Sequence, residues 1–458
     1  MMRYAVARCG VRLPHFIPFC WSRTMTSTHP GSATQQNSEL GLHLLVAQGM
    51  QWIASSPSRD DPYAPIVLAH TDQRASLYRQ VRERGRLHRS STEAWVTGSY
   101  EVAREVVADS RLGVWYADEE LAQQPALSLE APLLSHVLSL DSAFLTLDLA
   151  GHERLRGSVD AAVSRDGIAT FRAKIDRVCH RILDGVGASF DLVNDFARPF
   201  AAATLCELTG VPPEWCQRIL GLCRDVSIAL DATMCPPTFS SATRLITAVD
   251  TLRGMFGELV TLKASAEADD LMGQLLATAQ ADVSEDVLAT CMLLAVVGTE
   301  MAATLICSAL LALLGHPQQW SMVRNEPSLV PAALEETLRY EPPVRLESRI
   351  AQCELDVAGE RIEAGSEVVA VIAAANRDPE VFPAPERFDV TRVADPPNLT
   401  LAGGLHTSFV APFVRLQADV ALRAVMLRLP GLVRTGDLVH RMRSPVLHAL
   451  ARCPVAMS

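Results

Sequence analysis

The chain has 458 residues, and its formal net charge is −11. This acidic balance argues against a nucleic-acid partner, because such partners are bound by a clustered basic face, whereas the arginines here are scattered among acids. The proline- and glycine-rich stretches are short and no internal repeat is visible, so one large, mostly helical domain is predicted.

Eleven cysteines are spread along the chain without a Cys-x-x-Cys pair or a regular spacing. Several of them, including Cys206, Cys291 and Cys307, lie in apolar runs with helical periodicity. This distribution is typical of reduced core residues in a cytoplasmic protein and indicates neither a disulfide framework nor a zinc site. We therefore expect no metal site and a cytoplasmic location.

Residues 1–38 differ from the rest of the chain because they contain no acidic residue. Arginines and a proline interrupt the apolar stretch that a secretory signal would need. We expect residues 1–38 to be disordered or a start-site extension, with residues 1–24 lying upstream of a start at Met25. Residues 39–458 are expected to form a single domain.

The first elements predicted in chain order lie in residues 78–114, which read as a helix, a short strand and a second helix. Valines recur at helical spacing in that second helix. Amphipathic helices follow over residues 171–230. They are interrupted at residues 210–213, where the sequence Gly-Val-Pro-Pro ends one helix and begins another.

Residues 287–314 form the longest apolar run of the chain. A run of about 20 apolar residues is long enough to span a bilayer. Glu300 lies in the middle of this run, however, where an unpaired carboxylate would be costly in lipid. We therefore predict a long buried central helix rather than a membrane span.

Three short motifs follow one another in the last third of the chain. Glu336-Thr-Leu-Arg339 places an acid and a base three residues apart on one face of a short helix. Asn376-Arg-Asp-Pro379 and Pro385-Glu-Arg-Phe388 come next, and a small-residue loop around Gly404 then leads into a helix. An isolated acid–base pair is common on helix surfaces, but the combination and its spacing are specific.

Together these segments resemble the cytochrome P-450 (haem-thiolate monooxygenase) family, whose ligand loop reads Phe-Gly-x-Gly-x-His-x-Cys-x-Gly. The positions of the corresponding segment that match the family are Gly404, His406, Ala411, Pro412 and Arg415. The resemblance covers the chain from about residue 60 onward. It implies a mainly α fold with small β-sheets, a cytochrome P-450-like fold with a long central helix.

Ser408 stands where the resemblance places the cysteine that ligates the haem iron. A cysteine at a helix N-terminus is readily held as thiolate, which donates electron density to the iron. A serine hydroxyl is a much weaker acid and stays neutral at pH 7. Met301, next to Glu300, likewise replaces the threonine whose hydroxyl serves oxygen activation in the family. The substituted positions of the loop itself are Leu401, Ala402 and Val410.

Other positions keep the residues that the resemblance leads us to expect. Those that correspond to the haem-propionate-binding residues are His152, Arg156, Arg349 and His406. They form either a vestigial anionic pocket or a set of inherited cations that now bond to backbone or carboxylate groups. The resemblance also implies a buried structural triad of Glu336, Arg339 and Arg387, because a buried charge network tolerates no single deletion.

This pattern indicates a fold retained without its reaction, with no catalytic residue and no bound haem. It is similar to the haem-less relatives that serve as auxiliary proteins for glycosyltransferases, which attach nucleotide-activated deoxysugars to macrolide or anthracycline aglycones. The resemblance implies a heteromeric complex with such a transferase, and it leaves open whether this chain homodimerises within it. Residues 40–110 are the expected interface.

Two alternatives remain open from the sequence. One is a small-molecule protein that binds an aglycone in the empty pocket. The other is an atypical haem-binding oxidoreductase, in which His406, Ser408 or water ligates the iron.

Overall fold

The structure, a computed structural model, describes residues 40–41, 44–45, 48–49, 51, 60–68, 74–113, 164–232, 234–263, 270–278, 284–393, 395–401 and 405–458. Of residues 74, 278, 284–285 and 405–409 it describes the backbone only. The chain divides into two compact units, Met1–Leu40 and Gly41–Ser458. The domain boundary predicted after residue 38 lies outside the described residues and stays a prediction.

Helices dominate the described residues, and the longer ones bury apolar side chains in a shared core. In chain order they are α1 (Tyr63–Leu68), α2 (Arg74–Glu83), α3 (Tyr100–Ala108), α4 (Arg165–Ala169), α5 (Arg172–Asp184), α6 (Arg198–Thr209), α7 (Pro213–Val226), α8 (Ala229–Ala232), α9 (Phe239–Lys263), α10 (Leu271–Thr278), α11 (Ser284–Leu293), α12 (Thr299–Gly315), α13 (Pro317–Asn325), α14 (Val330–Tyr340), α15 (Ile372–Ala375) and α16 (Leu405–Arg428). Segments Leu192–Ala197 and Leu294–Gly298 are π-helical, and Pro327–Leu329 is a 3-10 turn.

The strands are short and form small sheets. They are β1 (His88–Arg89), β2 (Trp95–Thr97), β3 (Leu112–Gly113), β4 (Ser189–Asp191), β5 (Leu346–Ala351), β6 (Leu355–Val357), β7 (Glu360–Ile362), β8 (Glu367–Val371), β9 (Leu432–Arg434), β10 (Val439–His440), β11 (Leu450–Arg452) and β12 (Pro454–Met457). The largest sheet has the order β1-β2-β8-β5-β3, with β2 parallel to β8 and the other pairs antiparallel. A second sheet has the order β4-β12-β9, and β6-β7 and β10-β11 are two-stranded. The predicted mainly α fold with small sheets is confirmed.

The long apolar run folds as one helical rod, here called the central helix, made of α11, Leu294–Gly298 and α12. Its most apolar stretch, within Asp286–Gly315, is entirely buried. The rod packs against α6 and α16. The prediction of a buried central helix is therefore confirmed. The π-helical turn widens the rod in its middle, a distortion that is often found at functional sites.

The predicted order of elements in the first third is also observed. Helix α2 is followed by the β1–β2 hairpin and by α3, as the sequence indicates. The break over residues 210–213 is confirmed as well. Gly210 ends α6 in the left-handed region, with φ 64° and ψ 36°, and a Cβ there would clash with the carboxylate of Asp270. Glycine is required at that position for both reasons.

A buried ion network ties α14 to the segment that follows α15. Arg339 donates through Nε and Nη2 to the two carboxylate oxygens of Glu336, each at 2.8 Å, and both side chains are buried. Arg339 also donates to the backbone carbonyl oxygens of Asn376, Pro385 and Arg387 at 3.1, 2.8 and 3.0 Å. One guanidinium thus fixes three backbone positions, because its planar fork presents five donors.

The third charged member of this network is Arg392 and not Arg387, so that prediction was wrong. Nε of Arg392 lies 3.2 Å from Oε2 of Glu336. The side chain of Arg387 is 69% exposed and lies 3.4 Å from Asp389. The chain turns at Ala384, where the amide of Arg387 donates to the Ala384 carbonyl at 3.0 Å. That turn brings the carbonyl of Arg387 inward and leaves its side chain in solvent.

Candidate functional site

The candidate site is the place where α16 begins beneath the middle of the central helix. Helix α16 starts at Leu405, so Ser408 already lies in its first turn and His406 precedes it on the same helix. Glycine at position 410 would weaken a helix, whereas this chain has Val410, whose side chain is buried. The substitution therefore favours helix where the family pattern has a glycine.

Pro412 lies inside α16. Proline has no amide hydrogen, so it cannot donate to the carbonyl oxygen of Ser408, the residue four positions earlier. The backbone around position 408 is therefore held by a helix that lacks one of its own hydrogen bonds. A helix tolerates such a proline best in its first turn, but here three residues before Ser408 are already helical.

Apolar side chains from three segments near this helix start belong to the same hydrophobic core. Val297 and Met301 come from the central helix, Leu401 from the chain before α16, and Val410 from α16 itself. All four are at most 3% exposed and belong to one hydrophobic cluster. Met301 therefore fills core space, the usual role of a buried methionine.

Gly298 closes the π-helical turn and lies directly against the ring of Phe413 on α16. A Cβ at Gly298 would lie 2.9 Å from Cδ1 and 3.1 Å from Cε1 of Phe413. The ring is itself buried, so it cannot swing aside. The retained glycine therefore permits close packing of the central helix against α16 in this chain.

Glu300 is fully engaged in ion pairs. Its Oε1 accepts from Nη2 of Arg198 at 2.9 Å and lies 3.4 Å from Nη1 of Arg441, and the side chain is 4% exposed. Burial alone would raise the pKa of this carboxyl, but the two guanidinium groups outweigh it, so the pKa of Glu300 lies below its ordinary value. Glu300 is therefore a paired carboxylate and not an acid poised to give up a proton.

Thr299, next to Glu300, also carries a hydroxyl group. This hydroxyl does not take the place of the threonine hydroxyl that the family has at position 301. Its Oγ1 donates to the carbonyl oxygen of Ala295 in the preceding turn. A threonine hydroxyl bonded to the backbone in this way is turned along its own helix. The substitution at Met301 is thus not compensated by the neighbouring threonine.

The structure describes only some of the predicted haem-propionate positions. His152 and Arg156 lie outside the described residues, and His406 is described by its backbone alone. Arg349 lies on β5 and is buried; its Nη1 donates to Glu347 at 3.0 Å and to the carbonyl oxygen of Ser348 at 2.9 Å. Its Nη2 has no hydrogen-bond partner. Of these two nitrogens, only Nη1 is hydrogen-bonded, and both of its partners lie on the same strand, β5.

Sequence reasoning missed Arg198, Arg392 and Arg441, which form ion pairs with the predicted acids. Arg198 is 102 residues from Glu300 and Arg441 is 141 residues from it. No periodicity connects positions so far apart. The only available signal was the position of Glu300 inside an apolar run, since a buried carboxylate requires a cationic partner.

The chain is similar to proteins of nearly its own length. It is 40% identical to Protein AknT of Streptomyces galilaeus, over 95% of this chain and 100% of that protein. It is 33% identical to Protein DesVIII of Streptomyces venezuelae, over 92% and 94%. It is 31% identical to the cytochrome P450 monooxygenase PikC of the same organism, over 82% and 89%.

The sequence profile of the cytochrome P450 family matches residues 262–400, which include the central helix, α14 and β5. Among solved structures, CYP164A2 of Mycobacterium smegmatis superposes with a TM-score of 0.73 at 28% identity, covering 89% of this chain and 100% of that one. Relatives above 30% identity along nearly their whole length agree with this profile. The chain belongs to the cytochrome P450 family.

Proposed function

We propose that this chain is a non-catalytic auxiliary protein that binds a glycosyltransferase and stabilises or activates it. The transferase attaches a nucleotide-activated deoxysugar to a macrolide or anthracycline aglycone, and the heteromeric complex works in the cytoplasm. The observation that carries the proposal is Ser408 in the first turn of α16. The position that supplies a thiolate in the family offers a neutral hydroxyl here.

The donor set around this position does not fit a haem-thiolate centre. A hydroxyl oxygen cannot supply the thiolate, and no described cysteine lies within forty residues of Ser408 along the chain. Met301 on the central helix and Val410 on α16 are buried apolar residues where the family pattern has a threonine and a glycine. Glu300 is bound by Arg198 and therefore cannot act as a free acid. These features support a chain without bound haem.

The similarity to known proteins supports this proposal. The chain is 40% and 33% identical to AknT and DesVIII, whose names do not describe a monooxygenase, and 31% identical to the monooxygenase PikC. The described cysteines carry free thiols, which suits a reducing compartment. The buried Glu336–Arg339 pair is intact, so the fold keeps this structural contact.

A partner surface needs exposed apolar side chains, with burial of about 1,200–2,000 Å² for a stable complex. Within the interface predicted at residues 40–110, Leu45 is 71% exposed. Leu427 on α16 is 76% exposed and lies outside that region. The two leucines therefore form a matched pair for testing the predicted interface.

The test is sugar transfer by a glycosyltransferase of the proposed class, measured with and without this chain co-expressed. We expect transfer to rise at least about tenfold with the wild-type chain, the change that 1.4 kcal/mol of stabilisation would give. Leu45→Lys should abolish co-purification of the two proteins, and Leu427→Lys should leave it intact. Equal transfer without the chain would overturn the proposal.

The absorption spectrum of the purified chain tests the proposal that it binds no haem. We expect no Soret absorption and no iron after expression with added haem precursor. A Soret band with stoichiometric iron would instead favour the atypical oxidoreductase. Tight aglycone binding by the chain alone, with no effect on transfer, would favour the small-molecule binding protein.

A further inference from the structure

Residues 441–449 connect β10 to β11 and form a loop, here called the C-terminal strap. The amide of Arg441 donates to the carbonyl oxygen of Ala449 at 3.0 Å, and this bond closes the base of the loop. Met442 is 79% exposed, whereas Ser444 is 2% exposed. One side of the strap therefore faces solvent, and the other lies inside the fold.

The carboxylate of Asp231, on α8, holds the buried side of the strap. Its Oδ1 accepts from the amides of Val446 and Leu447 at 3.0 and 3.2 Å, and its Oδ2 accepts from Oγ of Ser444 at 2.6 Å. Asp231 is itself 4% exposed. Three donors of the strap thus share one buried carboxylate, and a strap that moves away from α8 breaks all three hydrogen bonds.

The other edge of the strap is held through the backbone by the segment that precedes β5. The amide of His448 donates to the carbonyl oxygen of Pro343 at 2.9 Å, and the carbonyl oxygen of Val446 accepts from the amide of Arg345 at 2.7 Å. Backbone groups do not titrate, so these two hydrogen bonds do not depend on the charge of Asp231.

The ionisable groups at that edge keep one charge state above pH 5. Burial, and then the positive charge of Arg345, lower the pKa of His448 to about 4. Burial opposes the ionisation of Glu341, which lies 3.0 Å from Nδ1 of His448, but the positive charges around it lower its pKa to about 2. Neither group therefore changes its hold on the strap between pH 5 and pH 8.

Asp231 differs from these groups because burial outweighs everything that favours its charged form. Burial raises the pKa of this carboxyl to about 6, although the charge of Arg441 and the hydrogen bonds from the strap lower it. Arg441 is shared, since its Nη1 donates to Oγ of Ser227 at 3.0 Å and lies 3.4 Å from Oε1 of Glu300. Glu300 is also subject to the charge of Arg224 on α7. The guanidinium of Arg441 therefore compensates only part of the burial of Asp231.

We propose that the C-terminal strap opens locally at its contact with Asp231, and that a rise in pH favours this opening. Opening brings the carboxylate into water, where its pKa returns to the ordinary value of 3.8. The closed strap therefore binds the proton more tightly than the open one. The resulting stability is fully present below the open-state value and is lost as the pH rises through about 6. This inference does not depend on the glycosyltransferase partner.

The test is hydrogen exchange of single backbone amides in the full-length chain, measured by NMR at pH 5, 6, 7 and 8 and divided by the intrinsic rate at each pH. We expect the protection of the Val446 and Leu447 amides to fall about tenfold between pH 5 and pH 7 and then to level off, because opening releases the proton of Asp231. The amide of His448, which donates to Pro343, should keep its protection.

Asp231→Asn is the decisive variant because its amide oxygen still accepts from the backbone amides but its side chain does not titrate. We expect its protection at Val446 and Leu447 to be the same at pH 5 and pH 7. The matched control is Asp225→Asn, at a carboxylate on α7 that lies 3.2 Å from Nε of Arg244. This control should keep the tenfold fall of the wild type.

A second variant tests the contact if Asp231→Asn does not fold. Ser444→Ala removes one hydrogen bond to the charged carboxylate and should raise the closed-state pKa of Asp231 by about one further unit. Protection should then continue to fall up to pH 8 instead of levelling off. Constant protection in the wild type, or a fall that persists in Asp231→Asn, overturns the proposal. An equal fall at His448 also overturns it, because the whole fold would then be opening.

Discussion

Around Glu336 the charges are paired and buried, whereas around Ser408 the polar and small residues of the family pattern have become helical or apolar. Arg339 and Arg392 still hold Glu336. Helix α16 instead starts ahead of Ser408, and Val410 is buried in the core. Removing one partner from a buried ion network leaves an unpaired buried charge and lowers the stability of the fold. An apolar residue at a position without a catalytic role carries no such cost. The chain therefore keeps the family pattern around Glu336 and departs from it around Ser408.

The largest effect should come from breaking the network. Arg339→Ala leaves Glu336 buried with only Arg392, so we expect the free energy of unfolding to fall by about 3–5 kcal/mol. Arg387→Ala, at an exposed side chain, should change it by less than about 0.5 kcal/mol. Urea denaturation followed by circular dichroism measures both. Equal losses would place Arg387 in the network after all.

Glu300→Gln should have the next largest effect, about 2–3 kcal/mol, because Arg198 and Arg441 would lose their shared carboxylate. The pKa of Glu300 is lowered in the folded state, so its contribution is present above the ordinary glutamate pKa and is lost as the pH falls through the folded-state value. The stability gap between wild type and variant should therefore shrink from pH 7 to acidic pH. A gap that stays constant would contradict the ion-pair role.

Gly298→Ala should cost about 1–3 kcal/mol, because the new methyl group would press on the buried ring of Phe413. The double variant Gly298→Ala with Phe413→Leu should recover part of that loss, since the smaller side chain makes room. Thermal denaturation of both single variants and the double variant gives the coupling energy. Strictly additive losses would mean that the two residues do not constrain each other.

The smallest effect is expected from Ser408→Cys. We expect no haem-thiolate absorption and no monooxygenase activity, because Ala402, Val410 and Met301 are unchanged. Stability should shift by less than about 0.5 kcal/mol. A matched variant also carries Ala402→Gly and Val410→Gly. Comparing it with Ser408→Cys alone separates the effect of the missing sulfur from the effect of the substituted loop residues. Haem incorporation by Ser408→Cys alone would show that a single atom was missing.

The sequence predicted those features that depend on residues close together in the chain. The acid–base spacing of Glu336 and Arg339 is a property of one helix, and their contact is found in the structure. Gly210 ends a helix for a backbone reason that is visible in sequence. The central helix followed from the length of its apolar run.

Long-range pairing could not be predicted in the same way. Arg387 and Arg392 lie five residues apart in an irregular segment, where no period says which side chain faces inward, and the turn at Ala384 decides it. The pairing of Arg198 with Glu300 depends on how α6 packs on the central helix.

Because α16 starts before Ser408, a single substitution at position 408 can restore little of the family's ligand loop. A single nucleotide change can convert a serine codon into a cysteine codon, but position 408 would still lie inside a helix that begins at Leu405. Restoring a loop there requires further changes, such as at Val410, and each of them alone would remove buried core volume. The intermediates would lose stability before regaining any chemistry. A single substitution at position 408 is therefore not expected to restore the loop of the family pattern.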